Sequence, residues 1–342
     1  MSDVVRALIV DDSAYVRKVI RQMLSRSPFL EIVGTARDGR EALELAQELQ
    51  PDVIICDLIM PELDGVGFIK AQMARRPVPI VVVSVASESG ELVLAALDAG
   101  AVDFVQKPTA LATERVLEIA DELIEKVKAA AASRPAAARE LPARAIARPA
   151  ATSSVDIVVL GISTGGPQAL KMLIPRLPAE LAVPIAIVLH MPVGYTELYA
   201  RKLNEQSALH VLESQGGEVV TKGHVYLAPA GRHLTLRRNA AHEVVTHLDV
   251  RPLDTLYRPS VDQLFQSAAD VYQSRVLGIV MTGMGSDGRE GAAWIKAKGG
   301  IVLTESESSC VVYGMPRSIV EAGLSDGQVT LDRMADALMA RV

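Results

Sequence analysis

Charged and polar side chains follow four short apolar runs in the first third of the chain, at the point where each run ends. In chain order they are Asp11 and Asp12, then Asp57, Ser84 and Lys107. Because the carboxyl ends of parallel strands meet at one edge of a sheet, we expect these groups to lie together. Clustered carboxylates repel one another unless a hard cation such as Mg²⁺, which prefers oxygen ligands, neutralises them. With the cation bound, one carboxylate can accept a phosphoryl group, while Lys107 pairs with its charge and Ser84 hydrogen-bonds a phosphoryl oxygen.

Three further reactive groups follow apolar runs in the second half of the chain. Ser163 lies in the glycine-rich turn Gly161–Pro167, which opens a predicted helix, and His190 and Asp287 follow two later runs. A glycine-rich strand-to-helix turn suits either a dinucleotide pyrophosphate or an exposed serine nucleophile. A dinucleotide site usually has an acidic residue at the end of the next strand, where this chain has His190. A nucleophile, a base and an orienting carboxylate are all present, so a serine hydrolase site is favoured.

Each of these groups also has a simpler structural role. The serines can cap helices or lie in loops, and the aspartates can cap the helices that follow them. His190 can be a satisfied buried histidine, and Lys107 can be a solvated surface charge. We favour the chemical interpretation because the members of each set follow the ends of strands in one predicted sheet.

The elements that position the first set alternate between short apolar runs and helical patterns from residue 4 to about residue 128. Runs without polar alternation indicate strands buried on both faces, so this part predicts a five-stranded, doubly wound parallel sheet in an α/β domain. The predicted strands are Val4–Val10, Glu31–Gly34, Val53–Cys56, Ile80–Val83 and Phe104–Val105.

The composition changes abruptly to alanine, arginine and proline after residue 128, with prolines at Pro135, Pro142 and Pro149. Prolines at this spacing prevent a long helix, and few large apolar side chains are present to form a core. We therefore predict a first domain of residues 1–128, a linker of residues 129–153 and a second domain of residues 154–342.

The second domain resumes the alternation and is predicted to be a doubly wound α/β domain of the hydrolase type. Its predicted buried strands are Val158–Leu160, Ile185–Leu189, Val276–Met281 and Ile301–Leu303. Four short, turn-punctuated segments are predicted to form antiparallel hairpin strands at one edge of the sheet: Glu218–Val220, His224–Leu227, His233–Arg237 and Glu243–Val245. The five histidines of this region are predicted to be surface or turn residues, and Trp294 is predicted to lie in the core.

The bulk properties exclude several classes of protein. A chain of 342 residues suits two domains, and a net charge of −6 lacks the basic footprint of a nucleic-acid-binding protein. The two cysteines, Cys56 and Cys310, show no metal-ligand spacing and fit a reducing compartment. Neither a signal-peptide pattern nor an apolar run long enough to span a bilayer occurs, so we expect a cytoplasmic protein without membrane insertion.

Several motifs of the first domain form one pattern: Asp11-Asp12-Ser13, Asp57 with Met60-Pro61 and Asp64-Gly65 after it, Ser84, and Phe104 ahead of Lys107-Pro108. This pattern resembles the two-component receiver family, which implies a flavodoxin-like fold. The resemblance implies that Asp57 is the phosphoacceptor and that Mg²⁺ binds to Asp11, Asp12, Asp57 and the backbone carbonyl of Ile59. It also implies a histidine kinase as phosphodonor, and a receiver switch formed by Ser84, Lys107 and Phe104, which signals by packing.

Motifs of the second domain form another pattern: Gly161-Ile162-Ser163-Thr164-Gly165-Gly166, His190-Met191-Pro192, Ala228-Pro229, Arg258-Pro259-Ser260-Val261-Asp262 and Met281-Thr282-Gly283-Met284-Gly285-Ser286-Asp287-Gly288. With the receiver in front, it resembles the chemotaxis protein-glutamate methylesterases, the CheB family. The resemblance implies hydrolysis of glutamyl methyl esters on the cytoplasmic helices of chemoreceptors, with release of methanol. It also implies a frequent second activity, the deamidation of receptor glutamines.

The same resemblance implies roles for individual residues, with no cofactor in the hydrolase domain. Ser163 attacks the ester carbonyl, His190 removes its proton, and Asp287 orients His190. The backbone amide of Met284 is the implied oxyanion donor, and Thr164 matches a position that supports the site. A chemotaxis histidine kinase would supply phosphate, and a receiver domain docked over the hydrolase cleft would restrict the substrate until phosphorylation.

Two other classes of function remain open on the sequence. A receiver joined to a nucleotide-binding output domain would retain a dinucleotide and hydrolyse no ester. A non-catalytic interaction protein would tolerate replacement of Ser163 by alanine. A DNA-binding response regulator is disfavoured, because residues 154–342 show no compact helix-turn-helix and no basic stripe.

Overall fold

The computed structural model describes residues 4–84, 90–107, 113–133 and 155–342. Pro108 and most of the predicted linker, residues 134–153, lie outside the described residues. The chain divides into two compact units, residues 1–140 and 141–342, and each is described by itself below. Within the described part of the chain, no helix combines the length and the apolar character that crossing a membrane requires.

The first unit is a five-stranded parallel sheet in the order β2-β1-β3-β4-β5. Its strands and helices, in chain order, are β1 (Val5–Val10), α1 (Ala14–Leu24), β2 (Leu30–Ala36), α2 (Gly39–Leu49), β3 (Val53–Cys56), α3 (Gly65–Arg75), β4 (Ile80–Ser84), α4 (Gly90–Asp98), β5 (Asp103–Gln106) and α5 (Thr113–Ala132). The sheet confirms the predicted fold. The strand order changes direction between β1 and β3, so a crevice opens at their carboxyl ends, where ligands bind in such sheets.

Close packing at Gly65 fixes the loop that follows β3. A Cβ added at Gly65 would lie 2.7 Å from the Cα of Leu58, so only glycine lets α3 begin this close to the strand end. Asp64 caps the same helix, because its side chain accepts a hydrogen bond from the N–H of Gly67. The loop from Asp57 to Gly65 is therefore held against the sheet.

Helix α5 continues to Ala132, so it includes the first four residues of the predicted linker, 129–132. The added residues are all alanine, which has the highest helix propensity of any residue, and they lengthen a helix that is already formed. The change in composition therefore precedes the end of the helix.

The second unit contains a seven-stranded parallel sheet in the order β14-β13-β12-β6-β7-β9-β8. Its elements are β6 (Ile157–Ile162), α6 (Gly166–Leu173), β7 (Ile185–Leu189), α7 (Thr196–Glu205), β8 (His210–Glu213), β9 (His224–Leu227), β10 (His233–Arg238), β11 (Val244–Asp249), α8 (Val261–Tyr272), β12 (Val276–Val280), α9 (Arg289–Ala297), β13 (Ile301–Glu305), α10 (Met315–Glu321), β14 (Gly327–Val329) and α11 (Leu331–Met339). Strands β6, β7 and β12 lie at the centre, so their carboxyl ends meet in the middle of one sheet edge.

The antiparallel hairpin exists, but it differs from the prediction in its place. Strands β10 and β11 pair with each other as a separate two-stranded sheet, and the side chains of Leu234 and Leu236 pack into the core with Phe265 of α8. The segment His224–Leu227 is instead a parallel strand between β7 and β8. Its Val225 and Tyr226 are both buried, which is typical of a strand covered on both faces.

Candidate active site and acceptor pocket

A tight turn presents Ser163 at the end of β6. The N–H of Ser163 donates to the carbonyl oxygen of Thr282 at 3.0 Å, and the N–H of Gly166 donates to the carbonyl oxygen of Ser163 at 2.6 Å. Gly165 has φ +78°, and a Cβ added there would lie 2.7 Å from the side chain of Val311. Only glycine fits both conditions, so the turn needs Gly165 to bring Ser163 to the sheet edge.

His190 leaves the neighbouring strand at the equivalent position. Strands β6 and β7 are parallel, with Ile162 opposite Leu189, and the N–H of His190 donates to the carbonyl oxygen of Ile162 at 3.1 Å. Adjacent strands are about 4.8 Å apart, so residues that follow paired positions are neighbours. The paired register therefore places Ser163 and His190 at the same edge of the sheet.

Asp287 comes from the loop after β12 and contacts the imidazole. Its Oδ2 lies 2.9 Å from Nε2 of His190, and the side chains of His190 and Asp287 are only 8% and 7% exposed. Nδ1 of His190 is buried and has no hydrogen-bond partner among the described residues. Because Asp287 accepts from Nε2, the neutral imidazole carries its lone pair on Nδ1, and Nδ1 is then the ring nitrogen that can accept a proton.

The first turn of α8 stabilises the charge of Asp287. The carboxylate accepts hydrogen bonds from the N–H of Val261 at 2.8 Å, from the N–H of Asp262 at 3.0 Å and from the hydroxyl of Ser260 at 3.0 Å. Burial raises the pKa of Asp287, but the hydrogen bond and charge of His190 and the two helix N–H groups outweigh it, so the pKa is lowered overall. Asp287 is therefore a carboxylate at neutral pH. It caps α8, whereas the sequence suggested the helix after it.

Asp262 makes the reciprocal contact with the start of α9. Its Oδ1 accepts hydrogen bonds from the N–H of Gly288 at 3.0 Å and from the N–H of Gly291 at 2.6 Å. Burial, with the nearby charges of Asp287 and Glu290, raises the pKa of Asp262 to about 7 despite the hydrogen bond from Gly291. Asp262 thus fixes the loop that carries Asp287. The sequence placed Asp262 in a motif but predicted no role for it.

The loop after β12 packs directly against Ser163. A Cβ added at Gly283 would lie 2.8 Å from the Cβ of Ser163, so glycine is what permits this approach. Met284 follows, and its N–H forms no hydrogen bond with any described residue. A free backbone N–H in a loop that packs against a serine can act as an oxyanion donor.

Two buried polar side chains hold this loop in place. Thr282 Oγ1 donates to the carbonyl oxygen of Thr164 at 2.9 Å, which joins the β12 loop to the serine turn. The N–H of Thr282 donates to Oε2 of Glu305 at 2.9 Å, and Ser309 Oγ donates to Oε1 at 2.9 Å. Glu305 is fully buried, and burial raises the pKa of its carboxyl group. Glu305 was not among the residues predicted from the sequence, although an acidic residue at the end of a buried strand is a signal that points to it.

Two more groups near the site were not predicted. Tyr257 stacks on His190, with ring centroids 4.2 Å apart and ring planes 15° apart. His233 is fully buried, so its prediction as a surface or turn residue is wrong. Its Nδ1 accepts a hydrogen bond from the N–H of Ser260 at 3.2 Å, and burial lowers its pKa. An imidazole without charge can thus anchor the residue before α8.

In the first unit, the predicted acidic cluster forms at the carboxyl ends of β1 and β3. Ligand oxygens of Asp11, Asp12 and Asp57 lie within 4.8 Å of one another. Lys107 Nζ lies 2.7 Å from Asp11 Oδ2 and 2.8 Å from Asp57 Oδ2. Burial raises the pKa of Asp11 in spite of Lys107. Burial disfavours the charged form of Lys107, but the hydrogen bonds with Asp11 and Asp57 outweigh it and raise its pKa. Both groups are thus coupled through one ion-pair network.

The remaining predicted receiver residues lie on β4, on β5 and in the loop after β3. Ser84 is buried at the end of β4, and its carbonyl oxygen accepts a hydrogen bond from the N–H of Lys107 at 2.7 Å. Ile59 is exposed in the loop after β3. Phe104 is buried on β5, and Nζ of Lys126 lies 5.7 Å from the centre of its ring. The structure therefore places Lys107 at the acidic pocket, Ser84 at the end of β4 and the aromatic side chain inside the unit.

The fold and the sites together define a two-domain α/β protein. In the first domain an acidic pocket lies at the edge of the sheet, and in the second domain Ser163, His190 and Asp287 come to the edge of the sheet. Residues 7–121 match the response regulator receiver domain, and residues 158–338 match the family described as CheB methylesterase. The chain belongs to the CheB methylesterase family.

Full-length relatives are similar over both domains. A protein of Myxococcus xanthus named protein-glutamate methylesterase/protein-glutamine glutaminase 5 is 50% identical over 99% of this chain and 98% of that protein. A relative of Symbiobacterium thermophilum with the same name, without the number, is 41% identical over 99% of this chain and 97% of that protein. The crystal structure of the Thermotoga maritima CheB methylesterase catalytic domain matches with 40% identity and a TM-score of 0.54, over 55% of this chain and 99% of that chain.

Proposed function

We propose that this protein hydrolyses glutamyl methyl esters on the cytoplasmic helices of chemoreceptors, that it releases methanol, and that phosphorylation of Asp57 activates it. Membership of the CheB methylesterase family, with a receiver domain in front, supports this function. The relatives are named for a glutaminase activity as well, so we also propose deamidation of receptor glutamines. Both reactions replace a leaving group at a glutamyl side-chain carbonyl and yield glutamate.

The contact between His190 and Asp287 carries the catalytic proposal. Nε2 of His190 is engaged by the carboxylate at 2.9 Å, and Nδ1 is left without a partner among the described residues, next to the strand end that bears Ser163. In the chymotrypsin arrangement Nδ1 faces the aspartate and Nε2 faces the serine. Here the two nitrogens exchange roles, so Nδ1 is the proposed general base. The chemical requirement, one nitrogen for each partner, is still met.

The first half of the reaction transfers the glutamyl group to Ser163. The serine oxygen attacks the side-chain carbonyl carbon, and Nδ1 of His190 takes the hydroxyl proton. Asp287 remains ionised and stabilises the imidazolium that forms. The carbonyl oxygen gains negative charge, which the N–H of Met284 stabilises. The imidazolium then gives its proton to the departing methoxy oxygen, and methanol leaves a glutamyl ester on Ser163.

Water completes the cycle by the same steps in reverse order. Nδ1 of His190 removes a proton from water as the water oxygen attacks the glutamyl ester. The serine oxygen leaves and takes that proton back, so glutamate and the free enzyme are restored. A glutamine substrate follows this course with ammonia as the first leaving group. Thr164 supports both halves, since its carbonyl oxygen ties the serine turn to Thr282 in the oxyanion loop.

The acidic pocket fits a divalent cation in its donor set, because three carboxylates converge and hard cations prefer oxygen ligands. We propose that Asp11, Asp12, Asp57 and the carbonyl oxygen of Ile59 hold Mg²⁺. When bound, Mg²⁺ neutralises negative charge on an incoming phosphoryl group.

Within this pocket Asp57 is the proposed phosphoacceptor, and a chemotaxis histidine kinase is the proposed donor. Lys107 already lies 2.8 Å from Asp57 and can pair with a phosphoryl oxygen, while Ser84 can donate its hydroxyl. Phe104 carries no hydroxyl, so it responds to these contacts through packing alone. For a tenfold rise in the ratio of active to inactive protein, phosphorylation must change the free-energy difference between these two states by only about 1.4 kcal/mol.

The test incubates methyl-labelled chemoreceptor cytoplasmic fragments with the full-length protein and measures methanol, with and without Mg²⁺ and acetyl phosphate. We expect release by the wild type that rises with the phosphodonor. Ser163→Ala should lose at least about 10³-fold in rate, as removal of a triad nucleophile does. Asp57→Asn should keep its basal rate and lose the rise.

Ser308→Ala, a change to an exposed serine near the same sheet edge, serves as the matched control and should match the wild type. Methanol release that survives Ser163→Ala would overturn the catalytic proposal. Full activation of Asp57→Asn by the phosphodonor would overturn the regulatory one.

A further inference from the structure

We infer that Tyr257 is a positioning residue of the hydrolase reaction, which holds the imidazole of His190 in the orientation that serves Asp287 and Ser163 together; this inference rests on the proposed function. The two rings stack with centroids 4.2 Å apart and planes 15° apart. Such a contact covers one face of the imidazole and leaves both nitrogens at the ring edge free for their partners. Tyr257 therefore touches the proposed base without competing for its proton.

The orientation of His190 needs a second constraint because a single hydrogen bond fixes it poorly. Nε2 is bonded to Asp287, but Nδ1 has no partner among the described residues. The bond from Cβ to an aromatic ring has a broad torsional preference, so the ring can tilt about its one anchor. A tilt displaces Nδ1 from Ser163. An aromatic ring stacked against the imidazole restricts that tilt.

Tyr257 also borders the loop that carries the proposed oxyanion donor. A Cβ added at Gly285 would lie 3.4 Å from the hydroxyl oxygen of Tyr257, so the far end of the side chain lies over the turn that follows Met284. One side chain thus stacks on the base and lies beside the oxyanion loop. This arrangement ties together two parts of the site that come from separate strands.

The backbone around Tyr257 is itself anchored. The N–H of Gly231 donates to the carbonyl oxygen of Arg258 at 2.9 Å, and Nη2 of Arg258 donates to the carbonyl oxygen of Leu253 at 3.2 Å. Ser260, three residues after Tyr257, donates its hydroxyl to Asp287. The stacked ring is therefore fixed relative to the carboxylate that the imidazole must also meet.

The stack favours the imidazolium that forms when His190 takes the serine proton. The face of an aromatic ring attracts a cation, so Tyr257 stabilises the imidazolium more than the neutral base. An interaction that strengthens only in the transition state raises kcat and leaves KM almost unchanged. The expected signature of Tyr257 is therefore a selective change in kcat.

The test compares Tyr257→Leu with Tyr257→Phe in the full-length protein, activated with Mg²⁺ and acetyl phosphate, on methylated receptor fragments. We expect Tyr257→Leu to lower kcat roughly tenfold, equivalent to about 1.4 kcal/mol, with little change in KM. Tyr257→Phe keeps the ring and should retain most of kcat. Leu256→Ala, next to Tyr257 and largely exposed, is the loop control and should keep kcat. Equal kcat in Tyr257→Leu and the wild type, or a loss in Tyr257→Phe as large as in Tyr257→Leu, overturns the inference.

A second readout does not depend on activity. In ¹⁵N-histidine-labelled protein, His190, assigned with a His190→Gln spectrum, should show one Nε2-protonated tautomer in the wild type and in Tyr257→Phe. In Tyr257→Leu its signals should shift and broaden because the ring is no longer held. Unchanged His190 signals in Tyr257→Leu contradict the positioning role, whether or not the wild type releases methanol. Absence of methanol release by the wild type overturns only the proposed function.

Discussion

Asp262, in the first turn of α8, and Asp287, just before α9, each accept hydrogen bonds from the start of the other residue's helix. Asp287 accepts from the N–H groups of Val261 and Asp262 at the start of α8, at 2.8 and 3.0 Å. Asp262 accepts from the N–H groups of Gly288 and Gly291 at the start of α9, at 3.0 and 2.6 Å. The carboxylate that orients His190 is therefore held by the start of α8, where a helix N-terminus favours its negative charge. The loop that carries Asp287 is held in turn through Asp262.

Replacement of Asp262 by alanine tests this reciprocal contact. Two backbone N–H groups lose their acceptor, so we expect unfolding free energy to fall by about 1–2 kcal/mol, as for loss of a helix cap. The loop that carries Asp287 should also shift, and kcat for methanol release should fall at least roughly tenfold. Urea denaturation and methanol assays measure the two effects.

Asp270→Ala provides the control for Asp262→Ala. Asp270 lies on the same helix and accepts a hydrogen bond from Trp294 of α9, but it is exposed and remote from His190. We expect kcat to stay at the wild-type value. A loss of kcat in Asp270→Ala equal to that in Asp262→Ala would show that general helix contact, rather than the cap, matters.

The unfolding free energy should depend on pH in part through the titration of Asp262. Its pKa is raised from an ordinary value of 3.8 to about 7 in the folded protein. Between these values the folded protein binds more protons at this group than the unfolded chain does, so this group's contribution to stability falls as pH rises from about 4 to 7 and then levels off. Asp262→Asn cannot titrate, so urea denaturation across this range should show a flatter profile for that variant. A profile with the wild-type slope would contradict the assignment.

Replacement of Gly283 by alanine should damage catalysis more than folding. The added methyl group would lie 2.8 Å from the Cβ of Ser163, so the oxyanion loop or the serine turn must move. Displacement of about 1 Å at a reaction centre can cost roughly 10²-fold in rate, and we expect a fall in kcat of this order. Gly327→Ala on the edge strand β14, where the nearest atom to the new methyl group is 3.4 Å away, should behave like the wild type.

Two substitutions of Glu305 separate its acceptor role from its charge. Glu305→Ala leaves the buried N–H of Thr282 without an acceptor, which should lower unfolding free energy by about 1–3 kcal/mol. Glu305→Gln keeps a carbonyl oxygen at this place and should remain close to the wild type in stability and kcat. Urea denaturation measures the difference. Equal destabilisation by both variants would indicate that the negative charge itself is required.

Much of the fold follows from local pattern. The strand Val53–Cys56 has the predicted bounds, because a short run that is apolar at every position is typical of a strand buried on both faces of a sheet. The candidate site residues were also predictable, since the carboxyl ends of parallel strands share one edge. Ser163, His190 and Asp287 leave β6, β7 and the loop after β12 there, and the last two meet at 2.9 Å.

Other features depend on contacts that no local pattern records. Trp294 was predicted to be buried from its helical spacing, but its side chain is 45% exposed and donates to Asp270, because the face of α9 that meets the core is the one with Ala292 and Ile295. The sequence of His224–Leu227 is short and bounded by turn residues, and such a segment can form either a hairpin strand or an inner strand of a parallel sheet. Its neighbours β7 and β8 decide the outcome.

By itself, the sequence determined the alternation of strands and helices, the reactive groups that end the strands, and the glycines that let loops approach one another, since these depend on residue type and near neighbours. Only the tertiary structure decided which ring nitrogen of His190 faces Asp287, which helix Asp287 caps, and which aromatic ring covers the imidazole. The physical reason is that hydrogen bonds and ring contacts act over a few ångströms, while the groups that make them can be far apart in the sequence, as His190 and Asp287 are at a separation of 97 residues.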